Sequence, residues 1–184
     1  MIWTFQPYDH RGVEYLKYAY DECCRLVPGD NDWIVLRDAD LMILTPEYEK
    51  VMLETADKHP EYDLWTCYTN RVMCIPQVIE EMFYEPDLQK HREKALELYR
   101  KKRNKAKRVK VPVSGYQMMF RKKTWKRLNG FSDGEGPAAD TIFSRKVLDS
   151  GGRIGLMEGV YGFHYYRFNE GVTSPYDKKR KKRK

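Results

Sequence analysis

The stretch WIVLRDADLMIL, residues 33–44, constrains this chain more than any other part of it. It is apolar and carries Ile and Val, so it reads as a strand driving toward a core, yet Arg37, Asp38 and Asp40 stand in its middle. A carboxylate buried without a partner either takes up a proton or finds a cation. In a strand, Asp38 and Asp40 point to one face, because side-chain direction has a period of two. At a strand end that geometry offers two hard oxygen ligands to Mg²⁺ or Mn²⁺. The bland alternative is a pair of acids turned to water.

What surrounds this stretch has the composition of a globular protein. Of 184 residues, 41% are apolar and 14% aromatic, enough for one sizeable core, so residues 1–177 are expected to form a single compact domain. No run approaches the length of a membrane span, and the opening MIWTFQPYDH lacks the layout of a signal peptide, so the expectation is a cytoplasmic chain. Cys23, Cys24, Cys67 and Cys74 have neither zinc-site spacing nor the pattern of a disulfide framework.

Along the chain, strands and helices alternate. Residues 2–5 read as a first strand, and Val13, Leu16, Ala19, Tyr20, Cys23, Cys24 and Val27 mark one buried helical stripe over 12–27. Thr45, Pro46 and Glu47 resemble a helix start, predicting a helix to about His59. Strands are expected over 62–68 and 116–120, with a helix starting over 77–83 and a long charged one over 86–107. A short helix over 123–128 closes at Asn129-Gly130. A further helix over 139–149 ends at Gly151-Gly152, and strands follow over 153–157 and 160–163. This order predicts an α/β fold, a mostly parallel central sheet flanked by helices.

From residue 114 the sequence reads SGYQMMFRKKTWKRLNGFSDGEGPAADTIFSRKVLDSGGRIGLMEGVYGFHYYR. The ordered set Asp38-Ala39-Asp40, Ser114-Gly115, Gly130-Phe131, Asp140, Gly151-Gly152 and His164 resembles the GT-A fold nucleotide-sugar glycosyltransferases, especially the large family 2. The resemblance covers about residues 30–167. It implies a Rossmann-like GT-A sheet and a cofactor, Mn²⁺ or Mg²⁺, held by Asp38, Asp40 and His164. It also implies that Asp140 is the general base of an inverting transfer, although the acidic pair usual at that point is here Ala139-Asp140. Asp38, Gly115 and Arg167 would contact the donor, a UDP-, GDP- or dTDP-sugar, with Arg37 as a further phosphate contact or a counter-ion for the two acids. Trp65, Asn70 and Arg71 lie where acceptor contacts could form, and core packing is the plainer reading of Trp65. Only 37 residues precede Asp38, fewer than the family places there. The nucleotide base is therefore expected on Phe5, Tyr8 and Asp9, or in a pocket completed by a second copy of the chain in a homodimer.

The net charge of +7 is local in origin. Residues 89–110 hold 11 Lys/Arg against two Glu, the tail 178–184 is wholly Lys/Arg, and the remainder carries 16 basic and 25 acidic residues. A basic helical insertion over 89–110 and a disordered tail over 178–184 are expected, solvated or in contact with a polyanion. The acceptor could accordingly be a glycan, a lipid-linked sugar at a membrane surface, or a modified nucleic acid. Two other classes fit the same residues: a catalytically inactive module of this fold that binds nucleic acid or anionic lipid, and a metal-dependent nuclease or phosphatase.

Overall fold

The strand that begins at Trp33 ends where its charges begin. In a computed structural model that describes residues 1–12, 15–131, 138–168 and 170–177, β2 runs over Trp33–Arg37 and β3 over Leu41–Ile43, with Asp38 to Asp40 forming the turn between them. The period-two argument for Asp38 and Asp40 therefore does not apply, because neither residue is in a strand. The chain changes partners at this point, since β2 pairs with β6 and β3 with β7. Two carboxylates in mid-strand would have been buried on both sides, and a turn spares them that cost.

The remaining elements are β1 (Ile2–Phe5), α1 (Leu16–Leu26), α2 (Tyr48–Lys58), β4 (Leu64–Thr69), α3 (Leu88–Lys102), β5 (Ala106–Val109), β6 (Gln117–Arg121), α4 (Lys122–Arg127), α5 (Ala139–Asp149) and β7 (Ile154–His164). The seven strands form a mixed sheet in the order β1-β2-β6-β4-β7-β3, with β5 pairing to β7 off that path. The fold is α/β, but the expected mostly parallel sheet is corrected. β1 runs parallel to β2, whereas β2 and β4 both run antiparallel to β6, and β3 antiparallel to β7. The reason lies in how the chain enters β6. It arrives beside the end of β2, where the Asp38 N–H donates to the Tyr116 carbonyl at 2.9 Å, and so runs back along the strand it has met.

Residue contacts group the chain into two units. The first comprises Met1–Ala39, Pro60–Thr66 and Arg108–Gly155. Its core is aliphatic along β2 and aromatic beside it: Ile34 and Leu36 are fully buried, and Phe131 stacks on Phe143 at 4.1 Å with Phe120 against both. Asp21 of α1 ties this core together, its Oδ1 accepting from the Trp125 indole N–H at 2.7 Å and from the Phe131 N–H at 2.9 Å while only 2% exposed. Asp21→Ala would strand two buried donors, so a loss of about 2–4 kcal/mol is expected in chemical denaturation. The Lys122 ammonium donates to the carbonyls of Arg25 and Val27, satisfying the end of α1.

The second unit comprises Asp40–His59, Cys67–Lys107 and Leu156–Lys184. Val51 and Met52 of α2 are fully buried in it, as are Phe83 and Tyr161. Fully buried His91 of α3 satisfies both its ring nitrogens, accepting from the Tyr161 hydroxyl at 2.6 Å and donating to the Glu85 carbonyl at 2.9 Å.

Several expected elements differ, each for a local reason. Thr45 does not cap α2, because its hydroxyl donates to the Tyr161 carbonyl and accepts the Tyr161 N–H, and the helix begins at Tyr48. Residues 75–82 form two 3₁₀ turns, not the start of a helix. Val78 bridges to Thr69, the Ile79 N–H donates to the Thr69 carbonyl, and Pro76 contributes no donor. α3 stops at Lys102, five residues short of the prediction, where Asn104 turns left-handed (φ 60°) and the chain enters β5. The basic segment 89–110 is thus helix and then strand. β7 runs unbroken through Gly159, which marks a close approach: a Cβ there would lie 2.8 Å from the Arg103 Cα. The start of the 12–27 stripe at Val13 lies outside the described residues, as does the tail 178–184. No helix among the described residues is long and apolar enough to cross a membrane.

Candidate metal centre and neighbouring carboxylate

β7 ends on His164, which is 2% exposed, and β3 pairs Leu41 with it, so Asp40 arrives beside the imidazole. The Tyr165 N–H donates to the Asp40 carbonyl at 3.1 Å, and His164 Nε2 lies 3.1 Å from Asp40 Oδ1. Asp38 is two residues back in the same turn. One ligand atom from each of Asp38, Asp40 and His164 lies within 4.8 Å of the others.

The imidazole is oriented from behind. Its Nδ1 lies 3.0 Å from the Arg71 carbonyl, and its backbone N–H donates to Asn70 Oδ1 at 2.7 Å. A carbonyl only accepts, so Nδ1 carries a proton and donates it. Nε2 then faces a second pure acceptor, the Asp40 carboxylate. A neutral imidazole cannot serve both; the pair needs either a second proton, giving an imidazolium, or a cation shared between the Nε2 lone pair and the carboxylate. The hydrogen bond from His164 holds the Asp40 carboxyl below the usual carboxylate range. Two carboxylates and one imidazole with its far nitrogen fixed could hold a divalent metal ion.

Compared with known protein families and with curated proteins, the sequence matches no family model and no curated protein. The chemistry of the site is therefore read from its residues.

Asp140 stands in the first turn of α5, in the first unit. Its Oδ2 accepts the Gly115 N–H at 2.5 Å and its Oδ1 the Thr141 N–H at 2.7 Å. Burial raises its pKa above the ordinary aspartate value and the negative charge of Asp38 adds to that, while the two backbone donors oppose it. Gly115 permits the arrangement because an added Cβ would fall 2.4 Å from the Asp140 Cβ. Gly115→Ala should push the carboxylate out of place and cost about 1–3 kcal/mol, read as a lower unfolding midpoint.

The other predicted residues are placed as follows. Arg37 ends β2, and its Nε is buried with no hydrogen-bond partner. Tyr8 is exposed, and Asp9 is held by the Arg11 guanidinium at 2.7 and 2.9 Å, which lowers its carboxyl pKa to about 2. Phe5 closes β1. Arg167 has a left-handed backbone (φ 46°), lies over the Tyr166 ring and reaches Glu170 at 3.6 Å. Trp65, 1% exposed, packs on Tyr62 and against Gly155, which is the packing reading. Asn70 and Arg71 are buried as well, and the structure gives them a task that sequence reasoning missed: they set the orientation of His164. Their signal was only that two polar residues follow a buried strand.

Much of the charge on α3 and on Arg103, which follows it, is neutralised in place. Lys90 pairs with Glu85, Lys94 with Glu81 and Glu97, Lys101 with Glu97, Lys102 with Glu158, and Arg103 with Glu54.

Proposed function

We propose that the chain is a metal-dependent glycosyltransferase of GT-A type, which moves a sugar from a nucleoside diphosphate to an acceptor hydroxyl. One observation supports this reading: His164 and Asp40, 124 positions apart in sequence, bring an imidazole nitrogen and a carboxylate to the same point, with Asp38 beside them. When bound there, Mn²⁺ or Mg²⁺ supplies charge neutralisation for a leaving diphosphate. Asp38, Asp40 and His164 would hold the ion. Arg37, at the end of β2 next to Asp38 in the chain, would add its positive charge for the diphosphate. Asp140, with its pKa raised and its position fixed by Gly115, would take the acceptor's proton as the new glycosidic bond forms.

Supporting the same reading is the order of motifs from Asp38 to His164, which resembles that of family 2 glycosyltransferases. The ion pairs along α3 weigh against a polyanion-binding role as the main function, since they occupy many of its cations. The test is turnover: release of nucleoside diphosphate from UDP-, GDP- and dTDP-sugars, with Mn²⁺ and with EDTA. The proposal expects one donor class to be consumed only with the ion. Release that is indifferent to chelation, or none from any donor across an acceptor panel of glycans, lipid-linked sugars and nucleic acid, would remove it.

A further inference from the structure

Arg71 does more than orient His164 through its carbonyl. Its side chain, on a residue 4% exposed, lines a cavity of about 300 Å³ within the second unit, together with Tyr84, Phe168, Gly171 and Thr173. The guanidinium lies between two rings, 5.0 Å from the Phe83 centroid and 4.9 Å from that of Phe168. Two of its N–H groups donate to backbone carbonyls, Phe168 at 3.2 Å and Val172 at 3.5 Å, and the buried Nε donates to nothing.

This is a buried cation with no carboxylate partner among the described residues. Charge taken out of water needs a counter-charge, and two carbonyls at long range with two ring faces compensate only part of that need. A guanidinium with donors to spare is a fork that fits the two oxygens of a carboxylate or phosphate. The cavity is larger than such a group alone; Thr173 lines it, and the Tyr84 hydroxyl on its wall donates to Asp177 and accepts the Ser174 N–H.

We propose that this cavity binds a small molecule through an oxyanion, a carboxylate or a phosphate group, seated on the Arg71 guanidinium. The claim concerns binding alone and stands whether or not the chain transfers sugars. The cavity shares Arg71 with the His164 support, so a ligand held there lies one residue from the candidate metal centre.

The experiment uses the full chain and three probes matched in size, glucuronate, glucose 6-phosphate and glucose, with inorganic phosphate as a fourth and ionic strength held constant by KCl. Binding is followed by titration calorimetry and by the unfolding midpoint, which a native-state ligand raises. At least one anion should bind and stabilise while glucose does neither. The ratio of glucuronate to glucose 6-phosphate affinity then assigns the group as carboxylate or phosphate. Arg71→Lys, which keeps the charge and loses the fork, should bind that anion about tenfold more weakly or worse, the loss expected for one charged hydrogen bond. Should Arg71→Lys fail to fold, Thr173→Trp, which fills the cavity from another of its lining residues, should abolish anion binding, and unchanged affinity in that variant would overturn the proposal. No binding of any anion, or equal binding of anion and glucose, would overturn the proposal and leave Arg71 as a clamp on the Phe168 and Val172 carbonyls. Unchanged affinity in a folded Arg71→Lys variant would overturn it too.

Discussion

Asp40→Asn should abolish metal-dependent turnover and leave the protein folded. The carboxylate sits beside Nε2 of His164, whose Nδ1 proton is committed to the Arg71 carbonyl. Asn can donate its amide N–H to that Nε2, so the turn keeps a hydrogen bond and loses only the negative charge and an anionic ligand. Asp40 is about half exposed, so the change should move stability by less than about 1 kcal/mol. Its effect on Mn²⁺ should be far larger. Loss of supporting groups behind a metal ligand already costs about 10- to 100-fold in affinity, and loss of the ligand itself should reach at least the upper end of that range. Mn²⁺ titration followed by electron paramagnetic resonance checks this, alongside turnover. A variant that binds Mn²⁺ like the wild type would take Asp40 out of the metal site.

Asp140→Asn should lower turnover by about 10²- to 10⁴-fold, the usual worth of a positioned general base, while donor binding is kept. An amide cannot take the acceptor's proton, yet it still fills the space beside Gly115 and can accept one of the two backbone N–H groups now held by the carboxylate. The variant also has a stability signature. The folded pKa of Asp140 lies above its unfolded value, so the folded state holds this proton more tightly, and the stabilisation this gives at low pH is lost as pH rises through the folded pKa. Asp140→Asn should lack that loss. If turnover survives while the pH dependence of stability changes as described, Asp140 is only a partly buried acid at a helix start.

The elements set by local pattern were legible in the sequence. β1 and α5 match their predicted ranges, α5 ending just before a glycine pair, because those signals act within a few residues. Elements whose competitors lie far along the chain were misplaced. Thr45 could have capped α2, but Tyr161, more than a hundred residues away, takes its hydroxyl. The helical reading of 77–83 loses to a bridge from Thr69. Sheet direction was likewise hidden, because alternation of strands and helices suggests parallel crossovers and does not reveal that β6 enters beside the end of β2.

The candidate site divides in the same way. Asp38, Asp40 and His164 stood out as residue types, and the fold brings them together, although by a turn and not by the alternation of a strand. The support could not be read: a carbonyl from Arg71 and an amide oxygen from Asn70 carry no side-chain motif. Nor could the cavity beside Arg71, which is lined by Phe168 and Val172, about a hundred residues away along the chain.

The most direct test of the metal-bridged donor is thermal unfolding of the full chain with UDP-, GDP-, CMP- and dTDP-sugars, each in Mn²⁺ and in EDTA. A ligand that binds only the folded state raises the midpoint by mass action. The account predicts that one donor stabilises the wild type with Mn²⁺ and not with EDTA, and that Asp40→Asn and His164→Ala both erase the difference. Stabilisation that persists in EDTA, or in either variant, would contradict it, and so would a screen in which no donor with Mn²⁺ moves the midpoint.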